Sequence, residues 1–166
     1  MMTIGRGGMS AAEYRTELAL YAVLGAPLLL CSDLRRLDAA TLAALTNPEL
    51  IAANQDADCT QGTLLAPIRG AGVRGDENWA GQRWARPLSD GSFLVALVNT
   101  DPVAPRNLSV TWGRDDDSDF FPAAFGSRAA RVRDVLGQAD VGTFQDAWLA
   151  ARVPPHDVAL VRVYPV

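Results

Sequence analysis

The apolar residues of this chain change their spacing near Gln61, and that change sets the architecture. Between Ser10 and about Asp56 they recur at intervals of three and four, the period of a helix that buries one face. After Gln61 they alternate with polar residues, which is the period of a half-buried β-strand. The sequence therefore predicts an α/β part followed by an all-β part.

The α/β part begins with a helix that has clear start and stop signals. Ser10 and Glu13 match a capping box, in which each side chain satisfies a backbone amide of the first turn. Pro27 cannot continue a helix, so the pattern predicts a helix over residues 10–24 that ends just before it.

A strand and a second helical stretch are predicted to follow. The apolar run "PLLLCSD" predicts a strand over residues 27–33 that is buried on both faces. Asp38 predicts the cap of a helix over residues 38–53, with a break at Pro48. A parallel strand needs a partner, and no other segment before residue 61 has the pattern of one. We therefore expect this fragment to leave apolar faces uncovered.

The all-β part carries seven segments of strand-like alternation, separated by turn sequences such as "SDG", "TDPVAP" and "PPHD". Short strands at such intervals predict an antiparallel sandwich. The segments are residues 62–68, 82–88, 92–100, 106–112, 130–136, 145–153 and 158–166.

Charge and composition exclude several classes of function. The net charge of −4 disfavours a nucleic-acid or anionic-membrane partner, because nothing neutralises a row of phosphates. The apolar run from Leu18 to Leu30 is too short to span a bilayer, and no leader sequence is visible. Two cysteines leave the redox compartment open. The triplet Asn107-Leu108-Ser109 permits N-glycosylation in a secreted protein.

Three stretches resemble a known family. "GGMSAAEYRTELALYAVLGAPLLLCSDLRRLDAATLAALTNPELIAANQD" is similar to the end of the catalytic barrel of glycoside hydrolase family 27, the α-galactosidases and α-N-acetylgalactosaminidases. "RWARPLSDGSFLVALVN" and "RVRDVLGQADVGTFQDAWLAARVPPHDVALVRV" resemble strands of that family's C-terminal sandwich. The resemblance implies that residues 1–60 form the incomplete C-terminal end of a (β/α)8 barrel and residues 61–166 the sandwich.

The resemblance also implies a chemistry. Family members are retaining glycosidases, in which one Asp attacks the anomeric carbon and a second serves as acid and then base. Both aspartates belong to barrel strands that precede the matched stretch. We therefore expect this chain to hold no catalytic residue, to be inactive alone and to need no cofactor or metal. Met1 matches the family's methionine beside the galactose pocket, which implies a substrate contact for an α-galactoside or related glycan.

The remaining chemically active residues have simpler interpretations. Asp33 lies at a predicted strand end, where barrel enzymes place functional groups, but a turn cap or a pair with Arg35 or Arg36 accounts for it better. His156 has no partners for a metal or triad role. The acidic run at residues 115–119 lacks the Gly and Glu of a calcium loop and is interpreted as a solvated loop. Strand positions favour core packing over sugar stacking for the tryptophans, Trp79, Trp84, Trp112 and Trp148.

Three hypotheses stay open at this level. The chain is the C-terminal portion of a glycosidase, a non-catalytic carbohydrate-binding or structural module, or a degenerate remnant that folds poorly. Galactose and N-acetylgalactosamine are not distinguished, and family resemblance implies a secreted or lysosomal location. Because uncovered apolar faces drive association, we expect the isolated chain to be oligomeric or marginally stable.

Overall fold

A group of helices packs against an antiparallel sandwich. The computed structural model describes residues 1–65, 68–69, 79–112, 120–121 and 128–166, and the acidic run at 115–119 lies outside them. The helical elements are α1 (Ala11–Leu24), a 3₁₀ turn (Leu34–Arg36), α2 (Ala39–Leu45) and α3 (Pro48–Asn54). The strands are β1 (Thr63–Leu64), β2 (Ile68–Arg69), β3 (Trp79–Pro87), β4 (Phe93–Asn99), β5 (Arg106–Thr111), β6 (Ala129–Asp134), β7 (Ala139–Gln145), β8 (Ala147–Val153) and β9 (Val158–Pro165).

Each α-helix begins where a side chain satisfies its first amides. Ser10 and Glu13 form the predicted capping box of α1. The Asp38 carboxylate accepts the Thr41 amide at the start of α2. Asn47 caps α3, whose first residue is a proline that has no amide to satisfy. The predicted helices over residues 10–24 and 38–53, including the break at Pro48, are confirmed.

The predicted strand over residues 27–33 is wrong in its extent. Only Leu30 pairs, in a parallel bridge to Met2, where the Met2 amide donates to the Leu29 carbonyl at 2.8 Å. The expectation that no other segment before residue 61 supplies a partner is also wrong, because the first residues supply it. The first segment enters a turn at Ile4 and Gly5, and the Thr3 amide donates to Glu17 rather than to a strand, so the ladder ends after a single pair.

The sandwich consists of two sheets in the described part of the chain. The larger has the order β1-β3-β4-β9-β6-β7, with β2 also on β3, and the smaller pairs β5 with β8. Every one of these pairings is antiparallel, as predicted. Strand β7 was not among the predicted segments, because most of its residues are exposed and Gly142 interrupts the alternation.

Strand β4 lies between two cores, and every residue in it is buried. Phe93, Val95 and Leu97 face the interior of the sandwich. Leu94, Ala96 and Val98 face the helices, where Leu18, Ala19, Ala22 and Val23 of α1 meet them. The apolar face of α1 is therefore covered by the sheet, which corrects the expectation that residues 10–24 leave it open.

The described tryptophan side chains serve packing. Trp112 is buried in the sandwich core, and its indole N–H donates to the Arg128 carbonyl at 3.0 Å. Trp148 packs on the same core, and Trp84 packs on the core beneath the helices. The core interpretation holds for these three, while the Trp79 side chain lies outside the described set. No helix in the described ranges has the length and apolar character that crossing a membrane requires.

Candidate functional site

The paired segments around Met2 and Leu30 have one covered and one open face. Met2 and Ile4 are almost completely buried against the helices, and Leu30 packs beside them. Successive side chains of a strand point to opposite faces. The opposite face is exposed, and we call it the open strand face: Met1, Leu29 and Cys31. Met1 is 71% exposed and Leu29 61%, which is unusual for such apolar side chains on paired segments.

Side chains tie the ends of the two segments together. The Ser32 hydroxyl donates to the Ile4 carbonyl, and the Cys31 thiol donates to the Met2 carbonyl at 3.2 Å. Gly5 follows in a left-handed conformation with φ of 78°, and an added Cβ would lie 2.1 Å from Leu37 Cδ2. Glycine is favoured there because a side chain at this positive φ is strained, and the Leu37 side chain would also have to move to admit a Cβ.

The outer edge of the first segment is satisfied by α1. Glu17 accepts the Thr3 amide at 2.8 Å and the Thr3 hydroxyl at 3.0 Å. The Met1 ammonium donates to the Tyr21 hydroxyl at 3.0 Å. A strand edge presents donors that would otherwise seek another strand. In this chain two helical side chains occupy that position.

Asp33 lies at the end of the second segment and is engaged by one arginine. Its carboxylate accepts the Arg35 amide at 3.1 Å and two guanidinium bonds at 2.9 and 2.8 Å. These Arg35 bonds lower the pKa of Asp33. The interpretation of Asp33 as a turn cap and ion-pair partner is confirmed.

His156 lies in the turn before β9, as predicted. Its Nδ1 is 4.0 Å from Glu13, and its carbonyl accepts the Thr16 hydroxyl at 2.8 Å. Among the residues that the structure describes, no three His, Cys, Asp or Glu side chains come together as metal ligands would. The contacts of this turn join α1 to the sandwich.

Sequence reasoning missed the buried guanidinium of Arg86, which is 1% exposed. Its Nη1 donates to three carbonyls at the carboxyl ends of α1 and α3: Ala22 at 3.1 Å, Ala53 at 3.0 Å and Asn54 at 3.1 Å. Helix carboxyl ends carry partial negative charge and unsatisfied carbonyls, so a cation is favoured there. No signal in the sequence set Arg86 apart, because the same strand also carries Gln82 and Arg83.

Further polar links fix the helices on the sandwich. They are Asn47 to the Val135 carbonyl at 2.8 Å, Glu49 to Arg133 at 2.8 and 2.5 Å, and Arg15 to Asp157 at 2.6 and 3.1 Å. The bond to Glu49 raises the pKa of Arg133. Because each link joins residues more than 80 positions apart, the open strand face has a fixed orientation relative to the sandwich.

Residues 78–163, more than half of the chain, match the family described as the α-galactosidase C-terminal β-sandwich domain. The chain belongs to the α-galactosidase family, glycoside hydrolase family 27. Residues 1–56 match the family described as α-galactosidase A. The family resemblance and the fold class, a barrel end followed by an antiparallel sandwich, are confirmed.

Individual relatives are much longer than this chain. A probable α-galactosidase of Dictyostelium discoideum is 35% identical over 166 residues, which are 99% of this chain and 39% of the relative. α-Galactosidase I from Mortierella vinacea superposes with a TM-score of 0.82 at 29% identity, covering 98% of this chain and 38% of that structure. The α-galactosidase from Saccharomyces cerevisiae with raffinose shares the fold, with a TM-score of 0.81 at 20% identity, 99% coverage of this chain and 46% of that one. This chain therefore spans about two fifths of the length of the curated relative.

Proposed function

We propose that this chain forms the C-terminal part of an α-galactosidase-like retaining glycosidase that hydrolyses terminal α-linked galactose or N-acetylgalactosamine. Residues 1–60 complete its (β/α)8 barrel, and residues 61–166 form its sandwich. The observation that carries the proposal is the parallel pair around Met2 and Leu30, one face packed on helices and the other open. In a closed barrel every strand has two neighbours, and its inner face packs against other strands.

The catalytic carboxylates belong, in this proposal, to the part of the enzyme outside residues 1–166. A glycosidase acid needs a raised pKa so that it holds a proton near neutrality. Hydrogen bonds act in the opposite direction on several described carboxyl groups and lower their pKa: Glu13, Asp33, Asp38 and Asp101. These groups act as caps and ion-pair partners.

We propose that this chain contributes Met1 to the sugar pocket. Barrel enzymes bind substrate at the carboxyl ends of their strands. Met1 lies on the open strand face, and its side chain is exposed. The structure of the Saccharomyces cerevisiae relative with raffinose supports a galactoside as the substrate class.

Fusion to a relative tests this proposal. The 166-residue chain is compared with a chimera that joins it to the preceding part of the Dictyostelium discoideum protein. We expect hydrolysis of p-nitrophenyl α-galactoside by the chimera and none by the chain alone. Turnover by the pure chain, or a folded chimera without turnover, contradicts the proposal.

A matched pair of variants tests the open strand face within that chimera. Leu29→Arg places a charge inside the closed barrel, so we expect loss of activity while tryptophan fluorescence of the sandwich stays native. Val103→Arg changes an exposed loop residue of the sandwich, which is 82% exposed, and leaves activity unchanged. Equal activities of the two variants would contradict a barrel-facing Leu29.

We also propose that the isolated chain associates through its open strand face. Exposed apolar side chains lie on that face and on the helical elements that follow it in the chain: Met1, Leu29, Leu34 and Leu42. Sedimentation velocity is expected to show dimers or larger species that Leu29→Arg reduces. A monomeric wild-type chain contradicts this expectation. The alternative of a carbohydrate-binding module lacks support from the described tryptophans, which pack in the cores.

A further inference from the structure

The sequence contains one Asn-x-Ser/Thr triplet, Asn107-Leu108-Ser109, and the structure places it in β5. Leu108 and Val110 are completely buried, so they face the sandwich interior. Asn107 is exposed, and Ser109, two residues along the strand, lies on the same outer face. The asparagine and the hydroxyl residue of the triplet therefore share the solvent side of the smaller sheet.

A bulge next to Asn107 determines how its side chain is held. Arg106 pairs with Val153 and Leu108 pairs with Ala150, so two residues of β8 lie opposite Asn107. One of them is Arg152, whose φ is 54°. The Arg152 amide donates to Asn107 Oδ1 at 2.8 Å. This bond uses only the carbonyl oxygen of the Asn107 side chain.

We propose that Asn107 is an N-glycosylation site of this protein. Asn107 Nδ2 attacks C1 of the first sugar of a polyprenyl-diphosphate-linked oligosaccharide. The N–C1 bond forms, the C1–O bond to the diphosphate breaks, and the amide loses one proton as polyprenyl diphosphate leaves. The glycosylated amide keeps its carbonyl oxygen, so the bond from Arg152 survives modification.

The glycan extends over an apolar part of the outer face. Leu149 pairs with Ser109 and is 54% exposed. Diagonal neighbours on one sheet face lie roughly 7 to 8 Å apart, within reach of the first sugar at Asn107. A glycan at this position covers Leu149 and lowers the tendency of the smaller sheet to associate.

Microsomal translation tests acceptance of the glycan. The full chain, directed into rough microsomes by a cleavable leader, is compared by gel mobility before and after treatment with a peptide N-glycosidase. We expect one glycosidase-sensitive shift in the wild type and in Ser109→Thr, and none in Asn107→Gln or Ser109→Ala. Ser109→Ala is the matched control, because it leaves Asn107 and its bond to Arg152 in place. A wild type without the shift, or a shift that persists in Ser109→Ala, overturns the proposal.

Occupancy is tested on protein from its natural source. N-glycosidase treatment in ¹⁸O water converts a glycosylated asparagine to labelled aspartate, and mass spectrometry of the peptide containing Asn107 is expected to show the label. An unmodified asparagine throughout overturns the proposal. Both readouts are independent of hydrolytic activity, so they separate this inference from the proposed function.

Discussion

Replacing Arg86 by methionine is expected to loosen the helices from the sandwich. Methionine fills a similar volume but donates no hydrogen bond. Ala22 keeps a partner, because its carbonyl also accepts the Gly25 amide at 3.2 Å. The Ala53 and Asn54 carbonyls each lose the Arg86 bond.

The magnitude follows from those two bonds. A buried carbonyl left without its hydrogen-bond donor costs about 1 to 3 kcal/mol, and removing the guanidinium leaves no unpaired charge behind. With two such carbonyls, we expect Arg86→Met to lower the free energy of unfolding by about 2 to 6 kcal/mol. Arg86→Lys retains the charge and is expected to lose less. Arg35→Met is the control, because it removes the same group from a site where it is 89% exposed.

Two probes of urea unfolding separate the parts of the molecule. Trp112 and Trp148 pack in the sandwich core, whereas Trp84 packs beneath the helices, so every variant is measured in a Trp84→Phe background, where fluorescence reports mainly the sandwich. Far-ultraviolet circular dichroism reports mainly the helices. We expect the helical signal of Arg86→Met to be lost at lower urea than the fluorescence signal, which departs from two-state unfolding. If Arg86→Met lowers the free energy of unfolding by less than about 0.5 kcal/mol, as an ordinary surface substitution does, the Arg86 bonds do not hold the helices on the sandwich.

Three further substitutions test the local contacts. Asn47→Ala removes the cap of α3 and the hydrogen bond to the Val135 carbonyl. We therefore expect the free energy of unfolding in urea to fall by about 2 to 4 kcal/mol. A decrease of less than about 1 kcal/mol would contradict this expectation. Hydrogen bonds from the backbone amides of Ala104 and Val103 lower the pKa of Asp101 to about 2. Because this folded-state pKa is below the unfolded one, the ionised Asp101 stabilises the fold fully above about pH 4, and this stabilisation is lost as the pH falls towards 2. Asp101→Asn is expected to make the free energy of unfolding depend less on pH within that window. An unchanged pH dependence would contradict this expectation. Gly62→Ala places a Cβ 2.4 Å from the Val23 carbonyl oxygen, so thermal unfolding should show a loss of about 1 to 3 kcal/mol; an unchanged midpoint means that the backbone accommodates it.

Part of the candidate site could be predicted from short stretches of sequence. Asp33 was correctly interpreted as a cap because its partner, Arg35, is two residues away. Met1 was identified by family resemblance, and its sugar contact stays a prediction. Glu17 was missed, because its bonds to Thr3 depend on how α1 lies beside the first segment and no spacing rule gives that placement.

The sequence by itself determined the elements whose signals are local. The caps at Ser10, Asp38 and Asn47 act over three residues, and the alternation of apolar residues gave most of the sandwich strands. Strand β7 lacked that signal, because an exposed strand has no buried face to mark. Local signals of this kind belong to the chain before it folds.

Tertiary structure alone decided which faces meet. The burial of β4 on both sides, the position of Arg86 at two helix ends and the parallel bridge of Met2 to Leu30 all join residues far apart in the chain. The cost of burying a guanidinium depends on carbonyls that the fold brings to it, 32 to 64 residues away. Apolar residues that recur with a period of two or of 3.6 residues indicate that one face of a strand or helix is buried. Only the packing of the folded chain determines which element covers that face.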